Sequence, residues 1–138
     1  SVGRGALAAG VVTAGASLGI VATRLSLVDR TRRRQVQSLL DHPQLNSGPS
    51  VLMGDMNSWR NCRGSQQLED KLNLHHNVDW PASFPAVRPL LSLDRIYARH
   101  ASVVEVRNHD SKAARKASDH LPIVAEVRLE KLVSEATR

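Results

Sequence analysis

Small apolar residues run almost unbroken from Gly5 to Thr23, interrupted by glycine at positions 5, 10, 15 and 19. The stretch between Arg4 and Arg24 holds 19 residues without a charge, close to the length of a membrane-spanning helix. Its glycines, together with Thr13 and Ser17, dilute the apolar block that a span or a secretory signal needs. The pattern instead predicts two strands, Ala6–Val12 and Leu18–Thr23, joined by a turn at Gly15. The period then changes. Val36, Leu39 and Leu40 recur at spacings of three and four, predicting an amphipathic helix over Asp29–Asp41, with Asp29 as cap and Pro43 beyond its end. Arg30, Arg32, Arg33 and Arg34 crowd its first half and read more simply as a solvated face than as a nucleic-acid patch. Arginines in a first helical turn also oppose the helix dipole.

Beyond a loop at Asn46–Ser50, Val51–Met53 forms a short buried strand that runs into Gly54-Asp55-Met56-Asn57. Ser65–Leu74 reads as a second helix, and Pro81, Pro85 and Pro89 impose a surface loop. Leu93–Arg99, Ser102–Arg107 and Ile123–Arg128 have strand patterns, and Glu130–Arg138 reads as a frayed tail. Hairpin, helix, strand, helix and further strands predict an α/β (α+β) chain, with a mainly antiparallel sheet and helices against it. Its 138 residues suit one domain, and no internal repeat or low-complexity tract divides them.

Charge and composition narrow the chemistry. The formal net charge of +6 favours anionic partners such as phosphates, nucleic acid or acidic lipid headgroups. Aromatics make up only 3% of the chain (Trp59, Trp80, Tyr97 and Phe84), which argues against a surface that stacks single-stranded bases. The lone Cys62 excludes an internal disulfide framework and a cysteine-rich zinc site, and no base is recognisable beside it. His75-His76 lacks zinc-ligand spacing, while His42, His100 and His109 read as surface residues. No spanning segment is expected, and localisation stays open with a lean towards the cytoplasm.

Three stretches place polar groups beside tight backbone features at strand ends. In an extended Gly54-Asp55-Met56-Asn57, Asp55 and Asn57 point the same way. A carboxylate and a carboxamide converging there suit a phosphate, its cation and an attacking water. Leu93-Asp94-Arg95-Ile96 sets an acid beside apolar strand residues, and Ser118-Asp119-His120-Leu121-Pro122 pairs a carboxylate with an imidazole just before a strand.

Together, Val51–Asn57 (VLMGDMN), Leu93–Ile96 (LDRI) and Ser118–Pro122 (SDHLP) resemble the endonuclease/exonuclease/phosphatase superfamily of metal-dependent phosphoesterases. Ile20–Leu27 with the arginine-rich helix is similar to the family's strand-then-helix element, and Phe84–Ile96 resembles a bacterial subgroup. The likeness runs from about Arg4 to Leu129 and implies half or most of a four-layer α/β sandwich. By position it implies that Asp119 binds a divalent ion, magnesium with manganese as the alternative. It makes His120 general base or phosphate contact, oriented by Asp94, while Asp55 aligns or deprotonates water. Asn57 would hydrogen-bond phosphate. A phosphodiester, nucleic acid among the candidates, would be the substrate.

Two features depart from the family pattern. The chain resembles the C-terminal half of a domain about twice its length, an N-terminally truncated form without the upstream Asn and metal-binding Glu. Arg24 stands where many members carry a phosphate-contacting histidine; it can bind phosphate but cannot shuttle a proton. These departures support an alternative expectation, an impaired fragment that only binds phosphate. A half-sandwich also leaves an apolar face open, predicting self-association or pairing with a missing N-terminal half.

Overall fold

The uncharged N-terminal stretch folds as the expected hairpin. Strands β1 (Ala6–Thr13) and β2 (Ala16–Arg24) pair antiparallel through the two-residue turn Ala14-Gly15. Both turn residues have positive φ, 47° and 78°, the backbone of a hairpin turn whose twist matches the flanking strands. The computed structural model describes residues 5–57, 63–72 and 79–129. After β2 come α1 (Asp29–Leu40), a 3-10 turn at Pro43–Leu45, β3 (Ser50–Asp55) and α2 (Arg63–Lys71). Then follow β4 (Asp94–Arg99), β5 (Ala101–Asn108), α3 (Lys112–Ala117) and β6 (Ile123–Leu129).

Four strands form one sheet in the order β1-β2-β3-β4, and β5 pairs with β6 in a second. The β2–β3 pair is parallel, because α1 carries the chain back across the sheet; the other pairs are antiparallel. Val21, Leu52 and Tyr97 occupy one row across β2, β3 and β4, and all three are fully buried. They meet Val36 and Leu39 of α1, Leu45 of the 3-10 turn and Leu68 of α2 in one apolar cluster. Alternation along the strands sends Val51, Ile96 and Ala98 to the opposite face, where they pack with Val103 of β5 and Ile123, Ala125 and Val127 of β6. Each such large side chain contributes about 1.5–3 kcal/mol of burial. Helices on one face and a small sheet on the other make the mixed α/β class that the pattern predicts.

Local details differ from the sequence reading. Asp29 does not cap α1. Val28 holds the cap position without a side-chain bond, while Asp29 lies in the first turn and binds Arg32 and Arg33. This pairing answers the dipole conflict of the basic first half. The arginine face also divides, since Arg32 is buried while Arg30 and Arg34 are exposed. Helix α3 lacks apolar periodicity; Ser111 caps it by accepting the Ala114 N–H at 3.0 Å. Among the described residues no helix is long and apolar enough to cross a membrane. Trp59, Cys62, His75, His76 and the tail lie outside the described residues.

Two substitutions test this architecture. Ala14 bears a left-handed conformation that Asn tolerates better, so Ala14→Asn is expected to raise the melting temperature by about 3 °C in calorimetry. Gly54 has φ 139°, and a Cβ there would stand 1.8 Å from the Thr23 carbonyl oxygen. Gly54→Ala is therefore expected to cost about 3 kcal/mol or more in urea denaturation.

Candidate active site

The parallel and antiparallel pairings at the end of β3 set Asp55 opposite Arg24 on β2 and opposite Asp94 on β4. Residues in one row share a face of the sheet, so two carboxylates stand side by side there. Like charges so placed destabilise a sheet unless something lies between them. That group is His120, carried by the turn between α3 and β6. Its Nδ1 lies 2.7 Å from Asp94 Oδ2, and its Nε2 lies 3.6 Å from Asp55 Oδ2. An ionised carboxylate only accepts, so the short contact makes Nδ1 a donor; whenever the imidazole is neutral, its lone pair is then on Nε2, facing Asp55. The 3.6 Å separation is too long for a direct hydrogen bond.

The imidazole is also braced from the side. Phe84 packs against it with ring centroids 4.9 Å apart. The segment bearing Phe84 closes on itself through a bridge to Leu91 and grips the histidine loop. The Ala86 N–H donates to the Asp119 carbonyl and the Leu121 N–H to the Ser83 carbonyl, both at 2.7 Å. Ser83 is fully buried, and its Oγ donates to Asp94 Oδ2 at 2.6 Å.

Burial raises the Asp55 carboxyl above the ordinary carboxylate range, and neighbouring Asp94 adds to the effect. The Asn57 N–H, His120 and Arg24 oppose it without cancelling it. Asp55 is thus a carboxylate short of compensating positive charge.

Asn57 turns the chain sharply out of β3 with φ 47°, its N–H donating to Asp55 Oδ1 at 2.8 Å. Its side chain is buried, and Nδ2 donates to the Leu25 carbonyl at 2.6 Å. The same turn is held by Arg32, whose guanidinium donates to the Ser26, Leu27 and Asn57 carbonyls at 3.2–3.3 Å.

The structure therefore brings Asp55, Asp94 and His120 together, with Asn57 directly behind Asp55. Arg24 stands at the rim, its side chain largely exposed and its Nε 3.8 Å from Asp55 Oδ2. Asp119 lies beside the cluster rather than in it, exposed, with its carboxylate taking a 3.4 Å contact from Ser118 Oγ. Sequence reasoning did not single out Ser83 or the buried role of Arg32. A serine in a proline-rich loop carries no local signal, whereas one arginine among four could be told apart only by its helical phase relative to Val36 and Leu39.

One ligand atom each from Asp55, Asp94 and His120 lies within 4.8 Å of the others. Asp119 is not one of the three. Two carboxylates and an imidazole, completed by water, are a donor set that a divalent ion accepts, so Asp55, Asp94 and His120 fit one.

These features agree with comparisons to known proteins. The family model described as Endonuclease/Exonuclease/phosphatase family matches residues 3–120. An uncharacterized protein of Escherichia coli K12, YbhP, is 32% identical over 126 residues, covering 83% of this chain and 48% of that protein. This chain thus spans about half the length of the curated relatives it matches. Solved structures alike in fold include a Staphylococcus aureus beta toxin mutant with bound magnesium ions, with a TM-score of 0.58 at 14% identity, covering 92% of this chain and 58% of the toxin. Danio rerio TDP2 in complex with a single-strand DNA product has a TM-score of 0.60 at 15% identity, covering 91% and 62% of the two chains. With its ordered motifs on adjoining strand ends and the family model spanning most of its length, the chain belongs to the endonuclease/exonuclease/phosphatase family.

Proposed function

We propose that the site hydrolyses a phosphodiester with the help of a divalent cation, magnesium being the ion its oxygen donors suit best and manganese the alternative. The observation that carries this reading is the convergence of His120 Nε2 and Asp55 Oδ2, two acceptors 3.6 Å apart that share no hydrogen bond of their own. A water held between them can donate to either acceptor; as its oxygen attacks phosphorus its proton passes to Nε2, the P–O ester bond opposite breaks, and the leaving oxygen departs to be protonated by solvent. Asp94 keeps the Nδ1–H in place, so Nε2 remains the basic nitrogen. Arg24, projecting from the rim, binds a non-bridging phosphate oxygen as a fixed charge and takes no part in proton transfer. The Asn57 carboxamide spends one N–H on Leu25, leaving its second for phosphate. The carboxylates of Asp55 and Asp94 would hold the cation, which when bound neutralises charge developing on the phosphoryl oxygens. The net charge of +6 and the DNA product in the TDP2 structure support nucleic acid as a substrate to test first.

The test is hydrolysis of bis-p-nitrophenyl phosphate and of plasmid DNA with and without Mg²⁺. Cleavage should require the ion, and His120→Ala should lower kcat by about 10²–10⁴-fold. Hydrolysis unchanged by His120→Ala would refute the reading. No hydrolysis, with inorganic phosphate still bound, would favour a phosphate-binding role.

Asp55 gives a prediction in which activity and stability part. Its folded-state carboxyl titrates above its unfolded value, so its protonated form favours the fold, and that contribution is lost as pH rises through the raised value. Asp55→Asn keeps the acceptor for the Asn57 N–H and removes the charge. In metal-free buffer at pH 7 it should melt about 3 °C above the parent while hydrolysis falls to background. The stability difference should vanish as the pH is lowered into the ordinary carboxylate range.

A further inference from the structure

We propose that Ser83 is a positioning residue for His120, acting through Asp94; the catalytic side of this inference rests on the phosphoesterase reading above. Ser83 joins the two halves of the acid–imidazole pair at once. Its Oγ donates to Asp94 Oδ2 at 2.6 Å, the same oxygen that lies 2.7 Å from His120 Nδ1. Its carbonyl accepts the Leu121 N–H at 2.7 Å, one residue beyond that histidine. Its own N–H donates to the Leu91 carbonyl at 2.9 Å, tying the serine to the chain that enters β4.

The hydroxyl matters because a carboxylate's terminal torsion is soft, with a broad two-fold profile that packing alone holds poorly. A donor on Oδ2 fixes that torsion and directs the oxygen's second lone pair at the imidazole. Ser83 is 0% exposed, so in the folded chain the donor that meets Asp94 Oδ2 from this side is the Ser83 hydroxyl. Without it Asp94 can rotate, and His120 is no longer obliged to carry its proton on Nδ1. The proton could then reside on Nε2, the nitrogen that the reaction needs free.

The experiment uses the full chain with ¹⁵N-labelled histidine, read on the alkaline plateau where the ring-nitrogen shifts no longer change with pH. His120→Ala identifies the His120 signals, and Ser83→Ala and Ser83→Thr are compared with the parent. The parent should show the Nδ1–H tautomer. Ser83→Ala should show a mixture containing Nε2–H, with kcat lowered about 10-fold and KM little changed, and Ser83→Thr should restore both. An unaltered tautomer in Ser83→Ala overturns the proposal. So does a shift that the hydroxyl of Ser83→Thr fails to reverse, since packing would then be its cause. If the parent hydrolyses nothing, the phosphoesterase reading fails on its own, while the ring-nitrogen signals still decide the role of Ser83.

Discussion

Two carboxylates set in register on neighbouring strands are the constraint around which the rest of this end of the molecule is arranged. Asp55 and Asp94 cannot move apart without slipping β3 against β4, and a one-residue slip would turn Tyr97 away from Leu52 and Val21 and out of the core. The burial of three large side chains therefore enforces the proximity of two like charges. Their repulsion is relieved by what is placed around them: an imidazole bridging the pair, an arginine at the rim, and hydrogen-bond donors on each acid.

The supporting contacts come from segments far apart in sequence. Arg32 reaches from α1 to hold the turns after β2 and β3, and Ser83 reaches from the proline-rich loop to hold Asp94 and the residue after His120. Both are buried, which lends their hydrogen bonds weight in a low-dielectric surrounding and makes each costly to leave unpaired. Chain breakers serve the same end. Gly54 lets β3 lie against the Thr23 carbonyl, and Asn57 adopts positive φ so that the chain leaves the sheet directly below Asp55.

Much of this was legible in the sequence, for identifiable reasons. The strands Val51–Met53 and Leu93–Arg99 are short apolar runs punctuated by Gly54, Asp94 and His100, and local pattern is enough to find them. The three acidic motifs stood out because polar groups at strand ends have few structural reasons to be there. The parallel pairing of β2 with β3 depends on where α1 packs, which periodicity does not encode. Asn57 read as a substrate contact, and only the fold reveals that one of its N–H groups is already held by Leu25, 32 positions earlier. Asp119 and His120 are neighbours in the chain, yet one is exposed and the other is drawn into the cluster, a separation set by two backbone bonds from the Ser83–Ala86 segment.

Strand β1 differs from the other three strands of its sheet in that all eight of its residues are exposed and neither large apolar cluster draws on them. It is held by its ladder to β2, so detaching it uncovers no core. Cooperativity is then graded across the sheet. Backbone amides in β1 can exchange with solvent through a small local opening, whereas those of β3, flanked by strands on both sides and packed on both faces, exchange only when the whole unit comes apart. Asp55 lies two strands in from β1, so opening of β1 breaks none of the ladder that sets Asp55 beside Asp94 and His120.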